Sequence, residues 1–192
     1  FMDMTNILTL LATRGLGLPV VVSERTNPAR HVVQQPWKML RQWVYPWADR
    51  LTMQFSGAEK LFPDRMRDSI RVIPNAVIAP PPETGFQPLL PGRYNLAAIG
   101  RLETTKGFDL LLAAFAQLVP SFPEWGLVIL GEGPQRSELH AQIVDLDLTG
   151  RVLFTGQVNN PHDYFRAADL FVLSSRYEGF PNAICEAMSV GL

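Results

Sequence analysis

Tyr94-Asn95-Leu96-Ala97-Ala98-Ile99-Gly100-Arg101-Leu102-Glu103-Thr104-Thr105-Lys106-Gly107-Phe108 is the stretch that decides the fold class. Its first six residues read as a short buried strand. A loop carrying two cations follows. From Gly107 to Val119 the spacing turns helical, with Phe108, Leu111, Leu112, Phe115 and Leu118 expected on one side. Strand, loop and helix form half of a β-α-β unit, and the rhythm continues downstream. Strands are expected at 127–130, 152–154 and 170–173, and helices at 134–146, 161–167 and 182–190. Asn160-Pro161-His162-Asp163 supplies a cap residue, a proline at the first helical position and an acid in the first turn. Short strands separated by helices imply a parallel sheet with right-handed crossovers.

Upstream the same alternation reads as a helix over 4–18 ending at Gly15 or Gly17, strands at 19–23, 51–55 and 70–73, a helix over 36–47 and a short one over 57–62. Between the two series lie Pro74, Pro80, Pro81, Pro82, Pro88 and Pro91. That density excludes helix and central strand and stiffens the backbone, as a domain linker would. The chain therefore reads as α/β, with two Rossmann-like doubly wound domains at 1–75 and 93–192 joined by a linker over 76–92. The first series begins inside an element and the second stops where another strand is due, so both domains are expected to be incomplete.

Hydrophobic residues make up 47% and charged residues 18% of the 192, which predicts a packed core and excludes wholesale disorder. The net charge of -1 argues against nucleic acid as a partner. Cys185 is the single cysteine and cannot form an internal disulfide, which favours a reducing compartment and a small buried side chain. No apolar run is long enough to span a bilayer. Asp145-Leu146-Asp147 spells D-x-D, but near a helix end rather than after a strand, and His31, His140 and His162 lack zinc spacing. No metal is expected.

Open parallel sheets bind ligands beyond the carboxyl ends of their strands, so the loops there are the candidates. Arg101 and Lys106 beside a helix start suit a diphosphate, though a solvated loop fits the same residues. Gly131-Glu132-Gly133-Pro134 lacks the third glycine of a dinucleotide fingerprint and reads as a structural turn, with Pro134 at the first helical position. Gly156-Gln157-Val158 reads as a turn on spacing alone. In Ser174-Ser175-Arg176-Tyr177-Glu178-Gly179-Phe180-Pro181-Asn182-Ala183-Ile184-Cys185-Glu186, two carboxylates stand eight apart across a loop-to-helix turn, where both can face one cleft and grip vicinal hydroxyls.

Taken in order with Ala168-Asp169, Glu186-Ala187-Met188 and the earlier Ile73-Pro74-Asn75, these motifs resemble family 4 glycosyltransferases of the GT-B fold. The resemblance implies that Arg101 and Lys106 bind the donor diphosphate and stabilise it as it leaves. It implies that Glu186 holds the ribose hydroxyls, and that Glu178 with the backbone of Gly179, Phe180 and Pro181 holds the transferred sugar. Val158 and Asn160 would lie near the base. Arg101, Lys106 and Glu178 would thus be the catalytic set. Transfer would proceed with retention and without a metal or other cofactor. The expected donor is a UDP-linked hexose or N-acetylhexosamine, and the expected acceptor a lipid-linked oligosaccharide or a polysaccharide.

The resemblance has two departures. The glycine-rich loop of the family's first domain is absent, and Arg25 stands where a histidine is common, within Ser23-Glu24-Arg25-Thr26-Asn27-Pro28. Glu24 and Arg25 are carried as acceptor-side residues. Trp37, Leu40 and Val44 share a helix face that reads as packing on the first domain's sheet, with a peripheral contact at the inner face of the cytoplasmic membrane as the alternative for a cytoplasmic protein. A nucleotide-sugar epimerase or hydrolase of the same fold, and a non-catalytic nucleotide-sugar binding module, are the competing functions. An intact two-domain enzyme needs roughly twice this length. The purified 192-residue chain is therefore expected to show no sugar transfer; turnover of donor by it would overturn that expectation.

Overall fold

The computed structural model describes residues 2–25, 36–78, 80, 82, 89, 90 and 93–192. Thr26, Asn27, Pro28, His31 and most of the proline-rich stretch lie outside the described residues. The chain divides into two units, one of Phe1–Ala76 with Glu178–Phe180, the other of Val77–Tyr177 with Pro181–Leu192.

In the first unit, α1 (Met2–Ala12) buries Ile7 and Leu10. Three parallel strands follow in the order β1 (Val21–Glu24), β2 (Arg50–Met53) and β3 (Ile70–Val72). Their inward residues Val22, Leu51, Met53 and Ile70 share one core with Val44 and Tyr45. The helix expected over 36–47 is α2 (Trp37–Val44) followed by a 3-10 turn at Tyr45–Trp47. Val44 is buried and Trp37 and Leu40 pack against the core, so this face does serve the sheet. A 3-10 turn at Asp64–Ser69 was not legible in the sequence, because six residues give too few turns for a periodicity.

The second unit carries β4 (Tyr94–Ile99), α3 (Phe108–Leu118), β5 (Trp125–Leu130), α4 (Arg136–Asp145), β6 (Val152–Gly156), α5 (Pro161–Arg166), β7 (Leu170–Phe171) and α6 (Asn182–Met188). The four strands are parallel, in the order β6-β5-β4-β7. Five consecutive residues of β5, Gly126–Leu130, are buried, as expected of a strand covered on both faces. Alternate side chains go to opposite sides. Leu127 and Ile129 join Leu112 and Phe115 of α3 and Leu139 of α4, whereas Val128 and Leu130 pack with Tyr164 of α5. Helices on both faces make this a doubly wound sheet.

At the amino edge, Asp169 explains its place in the motif series. Its carboxylate accepts from the Asn95 N–H at 2.7 Å, and its own N–H donates to the Asn95 carbonyl at 3.0 Å. These bonds seat the start of β7 beside the start of β4, where Leu96 pairs with Leu170.

Leu118 lies on the Phe115 side of α3 and lines an apolar groove with Leu96 and Leu170, but is 49% exposed, while Phe108, Leu111, Leu112 and Phe115 are buried. Two expectations need correction. The helix expected from Pro134 starts at Arg136, since the Gln135 N–H donates to the Leu102 carbonyl at 3.0 Å and Pro134 belongs to the turn. Asn160 precedes α5, but its amide donates to the Asp163 carboxylate at 2.6 Å instead of its oxygen accepting a helix N–H.

Ile129, fully buried in the central strand, should lose about 2–5 kcal/mol of stability on truncation to alanine. Leu118→Ala should lose less than about 0.5 kcal/mol. Urea denaturation of the two variants checks the contrast.

Candidate functional site

All four strands of the second unit point their carboxyl ends at one edge. β5 and β6 are laid to one side of β4, and the chain then crosses over to set β7 on the other. This reversal at β4 is the position where open α/β sheets leave a crevice. A cleft of about 400 Å³ opens at the same carboxyl edge, on the β5 and β6 side of β4, lined by Ile99, Gly100 and Arg101 after β4, Leu130, Gly131 and Glu132 after β5, and Gln157 and Val158 after β6.

The cleft depends on backbone-to-backbone contact. A Cβ on Gly131 would collide with the Gly100 carbonyl oxygen, and one on Gly133 with the Leu102 carbonyl. Leu102 N–H donates to the Glu132 carbonyl at 2.9 Å, which locks the first two loops together. Gly131-Glu132-Gly133-Pro134 is thus a structural turn, and its glycines let the loop after β5 lie against the loop after β4. Glu132 at the cleft wall pairs with Arg136.

Arg101 lines this cleft, and Lys106 touches it only through its stem, which lies against the lining residue Gly100. The Arg101 side chain is 71% exposed, with its Nε 3.7 Å from Glu103 Oε2, a long and loose pairing. The Lys106 stem lies across Gly100, its Cγ, Cδ and Cε 3.2–3.3 Å from where a Cβ on that glycine would sit. Gly107 ends the short turn Thr104–Lys106 at φ 65° and opens α3.

The other candidates are placed as follows. Val158 lines the cleft; Asn160 does not, because its amide is held by Asp163, itself buried and paired with Arg166 at 3.1 Å. Pro181 precedes α6, and Glu186 is half-buried within that helix. Glu178, Gly179 and Phe180 are half-buried and group with the first unit. Glu24 ends β1 and is 1% exposed, accepting from the Tyr45 hydroxyl at 3.0 Å. Burial first, and then the Glu24 charge, push the Tyr45 hydroxyl well above its ordinary value. Arg25, next in the chain, is exposed.

Two functional candidates escaped the sequence reading. The Arg176 guanidinium grips the Asp109 carboxylate with two bonds of 2.7 Å and donates a third, also 2.7 Å, to the Thr104 carbonyl. The partners stand 67 residues apart, and Asp109 alone reads as an ordinary first-turn acid. The Arg176 side-chain bonds hold the Asp109 carboxyl below its ordinary value of 3.8.

Among the described residues no group of three His, Cys, Asp or Glu side chains could hold a metal ion. Asp145 ends α4 and Asp147 sits in the turn leading to β6, at the amino edge away from the cleft. The His140 ring packs on Phe154 at 5.0 Å and His162 meets Phe165 edge-on. Cys185 is a half-buried free thiol in α6. No helix among the described residues is long and apolar enough to cross a membrane.

The family model described as glycosyl transferases group 1 matches residues 85–192. The chain is 29% identical over 189 residues to the Campylobacter jejuni GalNAc-alpha-(1->4)-GalNAc-alpha-(1->3)-diNAcBac-PP-undecaprenol alpha-1,4-N-acetyl-D-galactosaminyltransferase, covering 98% of this chain and 51% of that protein. It is 36% identical over 107 residues to the lipopolysaccharide core biosynthesis mannosyltransferase LpsB of Rhizobium meliloti, covering 53% of this chain and 30% of that one. The chain spans about half the length of the first of these relatives and less of the second. Among solved structures, Anabaena Alr3699/HepE in complex with UDP superposes with a TM-score of 0.82 at 20% identity, covering 98% of this chain and 56% of that chain. A point mutant of S. aureus TarM, in complex with fondaparinux, alpha-GlcNAc-glycerol and UDP, gives 0.77 at 19%, covering 97% and 38%. The fold is GT-B.

Because Asp109 is depressed in the folded chain, the stability its ion pair supplies is present above the ordinary carboxylate range and lost as pH falls through the depressed value. In a carboxyl chemical-shift titration Asp109 should titrate below 3.8, and Arg176→Ala should move it back up.

Proposed function

The chain belongs to the group 1 glycosyl transferases, and on that premise we propose that its second unit binds a nucleotide-diphospho-sugar for hexosyl transfer. The observation that carries this reading is the cleft at the carboxyl ends of β4, β5 and β6, with Arg101 on its wall and the Lys106 stem laid across Gly100 beside it. Two cations at the end of a strand, next to a helix start, match the charge that builds on a diphosphate as it leaves. Val158 lines the part of the cleft that would receive the base.

In this reading Arg101 and Lys106 stabilise the leaving diphosphate, Glu186 holds the ribose, and Glu178 with Gly179, Phe180 and Pro181 holds the sugar. Asn160 acts near the base only through the loop that Asp163 anchors. Transfer is retaining and needs no metal, as in the family 4 enzymes. Residues 1–75 belong to an acceptor-side domain, 76–92 to a linker and 93–192 to the donor domain. Glu24, held by Tyr45, sets the end of β1 from which Arg25 projects toward the acceptor side.

UDP is the donor nucleotide in this reading, supported by solved relatives of this fold that hold UDP. A lipid-linked acceptor is supported by the undecaprenol diphosphate in the Campylobacter relative's name. A cytoplasmic protein touching the membrane through its first domain fits the exposed Trp43, Met39 and Leu8 of that unit, with basic Lys38 exposed in the same helix.

Replacing Lys106 by alanine in a longer protein containing this stretch should cut transfer by about 10²–10³-fold while nucleotide binding weakens far less. Rates with and without acceptor, together with the Kd for UDP, read the result. Donor breakdown or epimerisation without acceptor would point to the competing enzyme class, and unchanged function of the variant to a binding module.

A further inference from the structure

We propose that Arg176 is a positioning residue for the diphosphate subsite, clamping through Asp109 the turn that presents Lys106. The inference rests on the nucleotide-sugar reading above and names a part of the site that the sequence did not reveal.

The clamp is built from both sides of the β4 reversal. From the loop after β7, the Arg176 N–H donates to the Thr105 carbonyl at 2.9 Å, and the guanidinium donates to the Thr104 carbonyl and to both carboxylate oxygens of Asp109. The Ser174 hydroxyl donates to the Lys106 carbonyl at 2.8 Å. A Cβ on Gly107 would collide with the Ser174 carbonyl, so no larger residue lets the two loops close on each other. Three successive backbone carbonyls, at 104, 105 and 106, are thus held by one loop. Asp109 ties the same guanidinium to the first turn of α3.

Lysine is a point charge on a flexible stem, and its side chain carries no planar fork of its own to fix direction. Its direction has to come from its backbone and from what its stem rests on. The stem rests on Gly100. The backbone is set by the loop after β7. Arginine suits the clamp because its planar fork satisfies a carboxylate with two parallel bonds and still has a donor left for a carbonyl. The clamp has a second effect along the chain: it fixes the segment that reaches Glu178 two residues later.

A clamp that only stabilised the fold would affect every ligand alike; one that aims Lys106 affects only the phosphates. The test is calorimetric titration of the chain with UDP and with uridine, each variant followed also by thermal unfolding. The wild type should bind UDP at least about tenfold more tightly than uridine, since charge-assisted bonds hold the phosphates. Arg176→Ala and the near-isosteric Asp109→Asn should reduce that ratio by about three- to tenfold with the uridine Kd unchanged, and Arg176→Lys should recover part of it. A wild type with no preference for UDP would sink the nucleotide-sugar reading itself. A normal ratio in both variants, or equal loss of UDP and uridine affinity, would overturn the positioning role alone. If Arg176→Ala does not fold, Asp109→Asn decides by the same ratio.

Discussion

The loops after β4 and β5 meet main chain to main chain, with no side chain between them. The Gly100 N–H reaches the Leu130 carbonyl at 3.0 Å and the Leu102 N–H reaches the Glu132 carbonyl at 2.9 Å. The Gly131 N–H then reaches the Gly156 carbonyl at 2.8 Å, which carries the contact on to the end of β6. Three strands therefore finish in a continuous hydrogen-bonded rim rather than in three independent loops. A ligand cleft on loops is only as well defined as the loops, and these have little freedom left. The same rim also satisfies buried main-chain groups that would otherwise cost free energy.

Much of this was legible from residue pattern. β4 and β5 are apolar runs with helical spacing after each, and the parallel sheet follows from that alternation. The edge on which Arg101 and Lys106 stand was legible for the same reason, since the carboxyl edge of a parallel sheet is fixed by strand direction and both residues follow a strand. What could not be read was anything set by contact across long separations. Nothing in the sequence pattern pairs Arg176 with Asp109, 67 residues apart, and only the fold brings them within 2.7 Å. Asn160 looked like a cap, and its amide turned to Asp163 instead. Leu118 keeps the helical period and lines a groove with Leu96 and Leu170, yet stays 49% exposed. Periodicity tells which way a residue faces, not how fully it is covered.

Glu24 makes a related point in the first unit. A glutamate at the end of a strand reads from sequence as a ligand contact. Here it is buried, accepts from Tyr45, and sits in a cluster where the Asn6 amide donates to the Ser23 carbonyl at 2.8 Å and to the Tyr45 oxygen at 3.2 Å. A buried carboxylate without such donors would be costly, so the cluster is a condition for its place. Its contribution is to fix where β1 ends, which is where exposed Arg25 begins.

The arginines differ in how far the framework has already taken up their donors. Arg176 spends its donors inside the protein, on a carboxylate and a carbonyl at 2.7 Å. Arg101 stands largely in solvent, with Glu103 at 3.7 Å. A cation already satisfied by a close bidentate partner gains little from an incoming anion, because the first partner must be given up. A loosely paired one gains the full charge-assisted bond for a small loss, since exposed pairs at such distances contribute on the order of 0–1 kcal/mol. The physical division is therefore by what each guanidinium already holds: the residue that the framework has used up shapes the turn, and the one left loosely held beside the cleft keeps its donors for an incoming anion, as the proposed diphosphate subsite requires.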